Sequence, residues 1–196
     1  MKAINIFLLK LAILLTLKIC NCEEVYDFSY HPEPKSIYEF SVKDDQGNNV
    51  SLSKYRGYVL VLSDVAIRPP VEFIYIKQLN ILQEKYYDEG LRVLCFPTDQ
   101  LYAVVPPYPV NATEFRNKYH LKFEIFGSLN INNGLRHSAH PLWLWLQRSQ
   151  EGFLINAIKY NYTKFVIDRY GLPTDRFSIF ASLQDMENAV LRHLRD

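Results

Sequence analysis

Residues 58–96 carry the pattern that most narrows the folds open to this chain. Tyr58 to Val65 (YVLVLSDV) is a mostly apolar run directly after Gly57, as expected of a strand buried on both faces. Val71 to Asp88 sets Phe73, Ile76, Leu79, Leu82 and Tyr86 on one face and ends before Gly90, which predicts an amphipathic helix. Leu91 to Phe96 (LRVLCF) is a second buried strand. A strand, a helix and a strand of these lengths form a βαβ unit, so the two strands run parallel.

The flanking segments fill out the same architecture. Tyr38-Glu39-Phe40-Ser41-Val42 and Asn49-Val50-Ser51-Leu52 alternate about a turn containing Gly47, a hairpin. Pro97 to Val110 is a proline-rich loop, and Asn111 with Glu114 opens a short helix. Glu124 to Phe126 is a brief strand and Pro141 to Gln147 a short apolar helix. Tyr162 to Asp168 and Pro173 to Ser178 pair about a turn at Tyr170-Gly171. Ser182 caps a last helix, with Asp185 at its third position and Ala189, Val190 and Leu194 inward. The expected fold is α/β: a central mixed sheet with helices on both faces, preceded by an N-terminal hairpin. With 196 residues, 48% of them hydrophobic, the chain has material for one such domain.

The N-terminal residues read as an address. Met1 to Leu17 has Lys2, then an apolar run broken only by Lys10, too short to span about 30 Å of hydrocarbon with these flanks. It matches a secretory signal peptide with Cys20 and Cys22 at the −3 and −1 places. The expected division is 1–22 signal peptide, 23–35 acidic and aromatic arm, and 36–196 folded domain. Cleavage after Cys22 lowers the 22 basic side chains to 19 against 21 acidic ones and leaves Cys95 as the lone thiol, with no internal disulfide to make. No basic excess exists to grip nucleic acid. Asn49-Val50-Ser51, Asn111-Ala112-Thr113 and Asn161-Tyr162-Thr163 are glycosylation sequons that suit a secreted protein.

The elements, in this order, resemble the thioredoxin-like fold of the glutathione peroxidase family. Ser36-Ile37-Tyr38-Glu39-Phe40 and Val50 to Gly57 look like the family's opening hairpin and strand entrance. Leu94-Cys95-Phe96-Pro97-Thr98-Asp99-Gln100 resembles the family's L-A-F-P-C-N-Q. Ala139-His140-Pro141-Leu142-Trp143 and Asn156 to Phe165 look like the phospholipid-hydroperoxide branch. Thr113 to Phe123 is short and lacks the insertion of tetrameric members, which implies a monomer.

The resemblance implies hydroperoxide reduction by a thiolate or selenolate at the start of the first helix, where the helix dipole favours negative charge. The family pattern V-A-S-x-C-G reads here Val65-Ala66-Ile67-Arg68-Pro69-Pro70. Pro69 therefore stands at the nucleophile position, without thiol, hydroxyl or N–H, and Pro70 removes a second N–H. Of the remaining family site, Gln100 matches the glutamine, Asn161 the asparagine, and Tyr160 replaces the tryptophan, while Thr98 stands where the family has cysteine. If the pocket is retained, the Asn161 sequon is unmodified, and Asn49 and Asn111 are the surface sites. The resulting expectation is a secreted pseudoenzyme acting by binding or regulation. The alternative is a residual thiol peroxidase using Cys95 or a partner thiol, with glutathione or thioredoxin as donor and no other cofactor. Against that alternative, a cysteine inside a buried strand behaves as a small hydrophobe with a raised pKa.

Two further features concern the same region. His137 and His140 are three apart, but no carboxylate or cysteine stands at ligand spacing, and His140-Pro141 belongs to the family-like motif, so no metal is expected. Val71 to Ile76 and Leu101 to Val110 have become apolar on either side of Pro69. Either Phe73, Tyr75, Tyr102 and Tyr108 form a rim that meets a protein or lipid, or they refill the vacated pocket.

Overall fold

Adjacent side chains of a strand point to opposite faces, so a strand sandwiched between two helical layers is buried at every position. The computed structural model, which describes residues 33–66, 72–101, 112–135, 137–152 and 154–196, bears this out for β3 (Val59–Val65), buried along its whole length. β3 pairs parallel with β4 (Leu91–Pro97), and β4 parallel with β5 (Glu124–Ile125). β6 (Lys164–Ile167) runs antiparallel to β3 and to β7 (Pro173–Phe177). The order is β5-β4-β3-β6-β7, and a separate two-stranded hairpin holds β1 (Ser41–Lys43) and β2 (Asn49–Ser51). The helices are α1 (Glu72–Tyr86), α2 (Ala112–Tyr119), α3 (Pro141–Ser149) and α4 (Leu183–Leu194).

The two sheet faces make two cores. Val59, Val61, Val65, Val93 and Cys95 meet Ile76, Leu79 and Leu82 of α1 and Met186, Ala189 and Val190 of α4. Leu60, Leu62, Leu94, Phe96 and Phe165 meet Leu142, Trp143 and Leu146 of α3 and Val42 of the hairpin. Each such buried aliphatic or aromatic side chain contributes about 1.5–3 kcal/mol over leaving it in water. The short helices rely on caps. His140 Nδ1 accepts from the Leu142 N–H at 3.3 Å, and Ser182 and Asp185 form a reciprocal capping box. His140 thus has a structural task at the start of α3.

Two sequence expectations are corrected. Tyr38 to Val42 is not one alternating strand: Ile37–Glu39 form a 3-10 turn and β1 begins at Ser41. Ile37 and Tyr38 are both buried, and a strand cannot turn neighbouring side chains to one face. The turn brings the Tyr38 ring against Gly171, at φ 89°, where a Cβ would lie 2.6 Å from the ring. The strand predicted from Tyr162 begins instead at Lys164, because Tyr162 adopts φ 64° and its N–H donates to the Asp64 backbone carbonyl at 3.1 Å.

Candidate functional site

In open α/β sheets, binding groups gather beyond the carboxyl ends of the parallel strands. Here that edge is formed by the end of β3, the residues after β4 and the segment leading into β6. Asp64 lies within β3, wholly buried. Its carboxylate accepts from Asn161 Nδ2 at 2.9 Å, the Thr163 N–H at 3.0 Å and the Tyr162 N–H at 3.2 Å. Tyr162 also donates its hydroxyl to the Ala66 carbonyl at 2.5 Å. A bulky residue in the left-handed region stores about 1–3 kcal/mol of strain. The Asp64 and Ala66 bonds hold Tyr162 there. Burial pushes the Asp64 pKa up to about 7, against the lowering effect of the Asn161 amide, the two N–H groups and the Lys164 charge.

Lys164 opens β6 and is 0% exposed. Its ammonium has no hydrogen-bond partner and lies 5.1 Å from the centre of the Tyr75 ring, which stacks on Tyr162 at 4.8 Å. Burial pulls its pKa down to about 8, opposed by Asp64 and Cys95. Ser63 pairs with Lys164 on one side and with Cys95 on the other, so the three stand in one row on the α1 side of the sheet. Cys95 is 0% exposed, and burial first, then the Asp64 charge, push its pKa well above the ordinary thiol value.

The three site residues expected from sequence are not joined to one another by any hydrogen bond among the described residues. Gln100 is committed at both ends of its amide. Its Oε1 accepts from Ile131 N at 2.6 Å and Asn132 N at 2.8 Å, and its Nε2 donates to the Asn132 carbonyl at 2.9 Å. Asn132 in turn exchanges two bonds with the Ile158 backbone. Gln100 borders an open cleft with Asn130, Asn132, Asn133 and His137. Asn161 is 5% exposed and faces Asp64. Tyr160 is 54% exposed and meets the Phe180 ring edge-on at 5.8 Å. It lines a different opening, a cavity of about 600 Å³ walled by Leu154, Ile155, Arg176 and Phe180. Arg176 fixes that wall by donating to the carbonyls of Gln150, Asn156 and Ala157.

The expected rim divides. Phe73 is 59% exposed, whereas Tyr75 packs inward on Tyr162. Tyr75 leaves the proposed surface because helical side chains lean toward the helix start, here over the β6 entrance. Pro69, Pro70, Tyr102, Tyr108 and Asn111 lie outside the described residues. Sequence reasoning passed over Asp64 and Lys164, although a charged residue inside YVLVLSDV and another heading KFVI were the available signals. It also passed over Leu154, Ile155 and Phe180, whose clustering depends on the fold and had no signal in the chain.

Chemically, this edge combines a buried carboxyl, a buried amine and committed amides. The thiol within it is sealed and protonated. The glutathione peroxidase family model matches residues 37–147. A phospholipid hydroperoxide glutathione peroxidase from Sus scrofa is 38% identical over 155 residues, 78% of this chain and 77% of that protein. A glutathione peroxidase from Schistosoma mansoni is 35% identical over 167 residues, covering 85% of this chain and 97% of its own. The crystal structure of T. cruzi GPX1 matches with a TM-score of 0.67 at 32% identity, over 82% of this chain and 97% of that one. The fold is thioredoxin-like.

Proposed function

The chain belongs to the glutathione peroxidase family, and within it we propose a member that has lost hydroperoxide reduction and acts by binding or regulation. The observation that carries this reading is Pro69 at the nucleophile position together with a sealed Cys95. A peroxidatic atom must be an accessible thiolate or selenolate. Cys95 has no exposure and a pKa driven upward, so it does not replace the lost group. The double engagement of Gln100 supports the same reading, since its amide is already spent on the Ile131-Asn132 backbone. The leader at Met1 to Cys22 supports secretion, and the short Thr113 to Phe123 segment supports a monomer.

The test is a peroxidase assay on the purified protein, with hydrogen peroxide and a lipid hydroperoxide, and with glutathione and then thioredoxin as donor. The expected result is no turnover above the uncatalysed rate for wild type. A Pro69→Cys, Pro70→Gly double variant run beside it reports whether the rest of the edge still supports the chemistry. Wild-type turnover that Cys95→Ser abolishes would instead establish Cys95 as the nucleophile.

A further inference from the structure

We propose that the cavity walled by Leu154, Ile155, Tyr160 and Phe180 binds a compact apolar carboxylate, a small arylalkanoate. Size, walls and charge each bear on the ligand. The cavity holds about 600 Å³, within the range of small-molecule sites. Leu154, Ile155, Tyr160 and Phe180 are 83%, 54%, 54% and 79% exposed, although all four are large and apolar. Exposed apolar side chains gathered round one opening mark a binding surface, whereas scattered ones do not. Leu154 also holds φ 68°, a conformation that bulky residues rarely adopt and that clusters at ligand sites. The Tyr160 and Phe180 rings, edge-on at 5.8 Å, give an aromatic guest an aromatic wall.

Charge selects the other end of the ligand. The ionisable groups of the lining include Lys159 and Arg176 against Glu151, a positive balance. The Arg176 head group lies at the wall itself. Its Nη1 is 2.9 Å from where a Cβ on Gly152 would stand, its Nη2 donates to the Ala157 carbonyl at 3.2 Å, and Gly152 and Ala157 both line the cavity. Nη1 gives its two hydrogens to the Gln150 and Asn156 carbonyls. Nε and the second hydrogen of Nη2 have no partner among the described residues, and no carboxylate there pairs with the guanidinium. The Phe165 ring centre, 5.3 Å from the guanidinium carbon, makes a cation–π contact that neutralises no charge. A planar guanidinium with two donors left suits the two oxygens of a carboxylate. This cavity is a different opening from the Gln100 cleft, and its binding does not depend on the loss of peroxide chemistry. Its test therefore reads binding alone, with no turnover assay.

Methyl and aromatic NMR shifts of the full folded protein are followed during titration with sodium hydrocinnamate. Hydrocinnamamide offers the same body without the charge, and sodium acetate the charge without the body. The expected dissociation constant for hydrocinnamate is about 0.1–1 mM, with the amide and acetate each at least about tenfold weaker. The largest shifts should fall on Leu154, Ile155 and Phe180. Phe180→Ser removes a side chain that is 79% exposed, so the fold survives it, and it should weaken hydrocinnamate about tenfold. Arg176→Lys keeps the charge and loses the planar donors, and should bring acid and amide to within about threefold of each other. No saturable shift with hydrocinnamate, an amide that binds wild type as tightly as the acid, or wild-type affinity in Phe180→Ser would overturn the proposal.

Discussion

Asp64 is the residue at which folding and pH are most directly linked. Its carboxyl titrates near 3.8 when free and at about 7 in the native protein. Between those values the native state keeps a proton that the unfolded chain has released. The contribution of Asp64 to stability is therefore greatest at or below about pH 4 and falls as pH rises toward 7, by up to about 4 kcal/mol in total. Asp64→Asn retains an acceptor oxygen for the Asn161–Thr163 segment and removes the titration. Urea midpoints of wild type and Asp64→Asn from pH 4 to 7 should diverge, with wild type losing ground steadily. Parallel curves would show that Asp64 titrates normally. The neighbouring Lys164 has the opposite signature. Burial depresses its pKa, so its charge costs stability below about pH 8, and that cost is relieved as pH rises toward its free value.

Loops rather than strands hold the functional edge together. Gln100 ties the residues after β4 to Ile131 and Asn132, and Asn132 ties that segment to Ile158. Replacing the Gln100 amide by a hydrocarbon of similar size leaves two backbone N–H groups and a carbonyl without their partner. Gln100→Leu should therefore cost about 1–3 kcal/mol in chemical denaturation. A purely catalytic remnant would lose nothing in that measurement, so an unchanged midpoint would refute the tethering role. The helices tell a plainer story. The Ser182 and Asp185 capping box is visible in the chain because the partners are three residues apart and need only local geometry. The βαβ core was legible for a similar reason: Ile76, Leu79 and Leu82 recur at helical spacing between two apolar runs.

Across the whole molecule, the fold decides which of the like-looking motifs meets solvent. Asn49 stands exposed on β2, whereas Asn161, in an equally good sequon, donates to a buried carboxylate. On passage through a secretory pathway, Asn49 should carry glycan and Asn161 none. Mass spectrometry of peptides after glycosidase treatment checks this, and glycan at Asn161 in folded protein would contradict the Asp64 geometry. The same reasoning separates the apolar residues. Phe73 stays outside and Tyr75 turns in, although they are two positions apart on one helix. Among the described residues, an exposed apolar grouping forms elsewhere, where Leu154, Ile155, Tyr160 and Phe180 converge on one cavity.

Periodicity and local partners are properties of the chain itself. They determined the helices, the buried strands and the parallel pairing of β3 with β4. Burial and long-range partnership are not local. The 3-10 turn at Ile37–Glu39 exists because two neighbouring side chains must enter the core. The left-handed Tyr162 exists because Asp64, far away in the chain, binds the segment around it. Lys164 is dry only because the fold seats its ammonium beneath the Tyr75 ring of α1. A charge in a sequence has no dielectric until the tertiary structure gives it one, and so the chemistry of this edge was decided by packing.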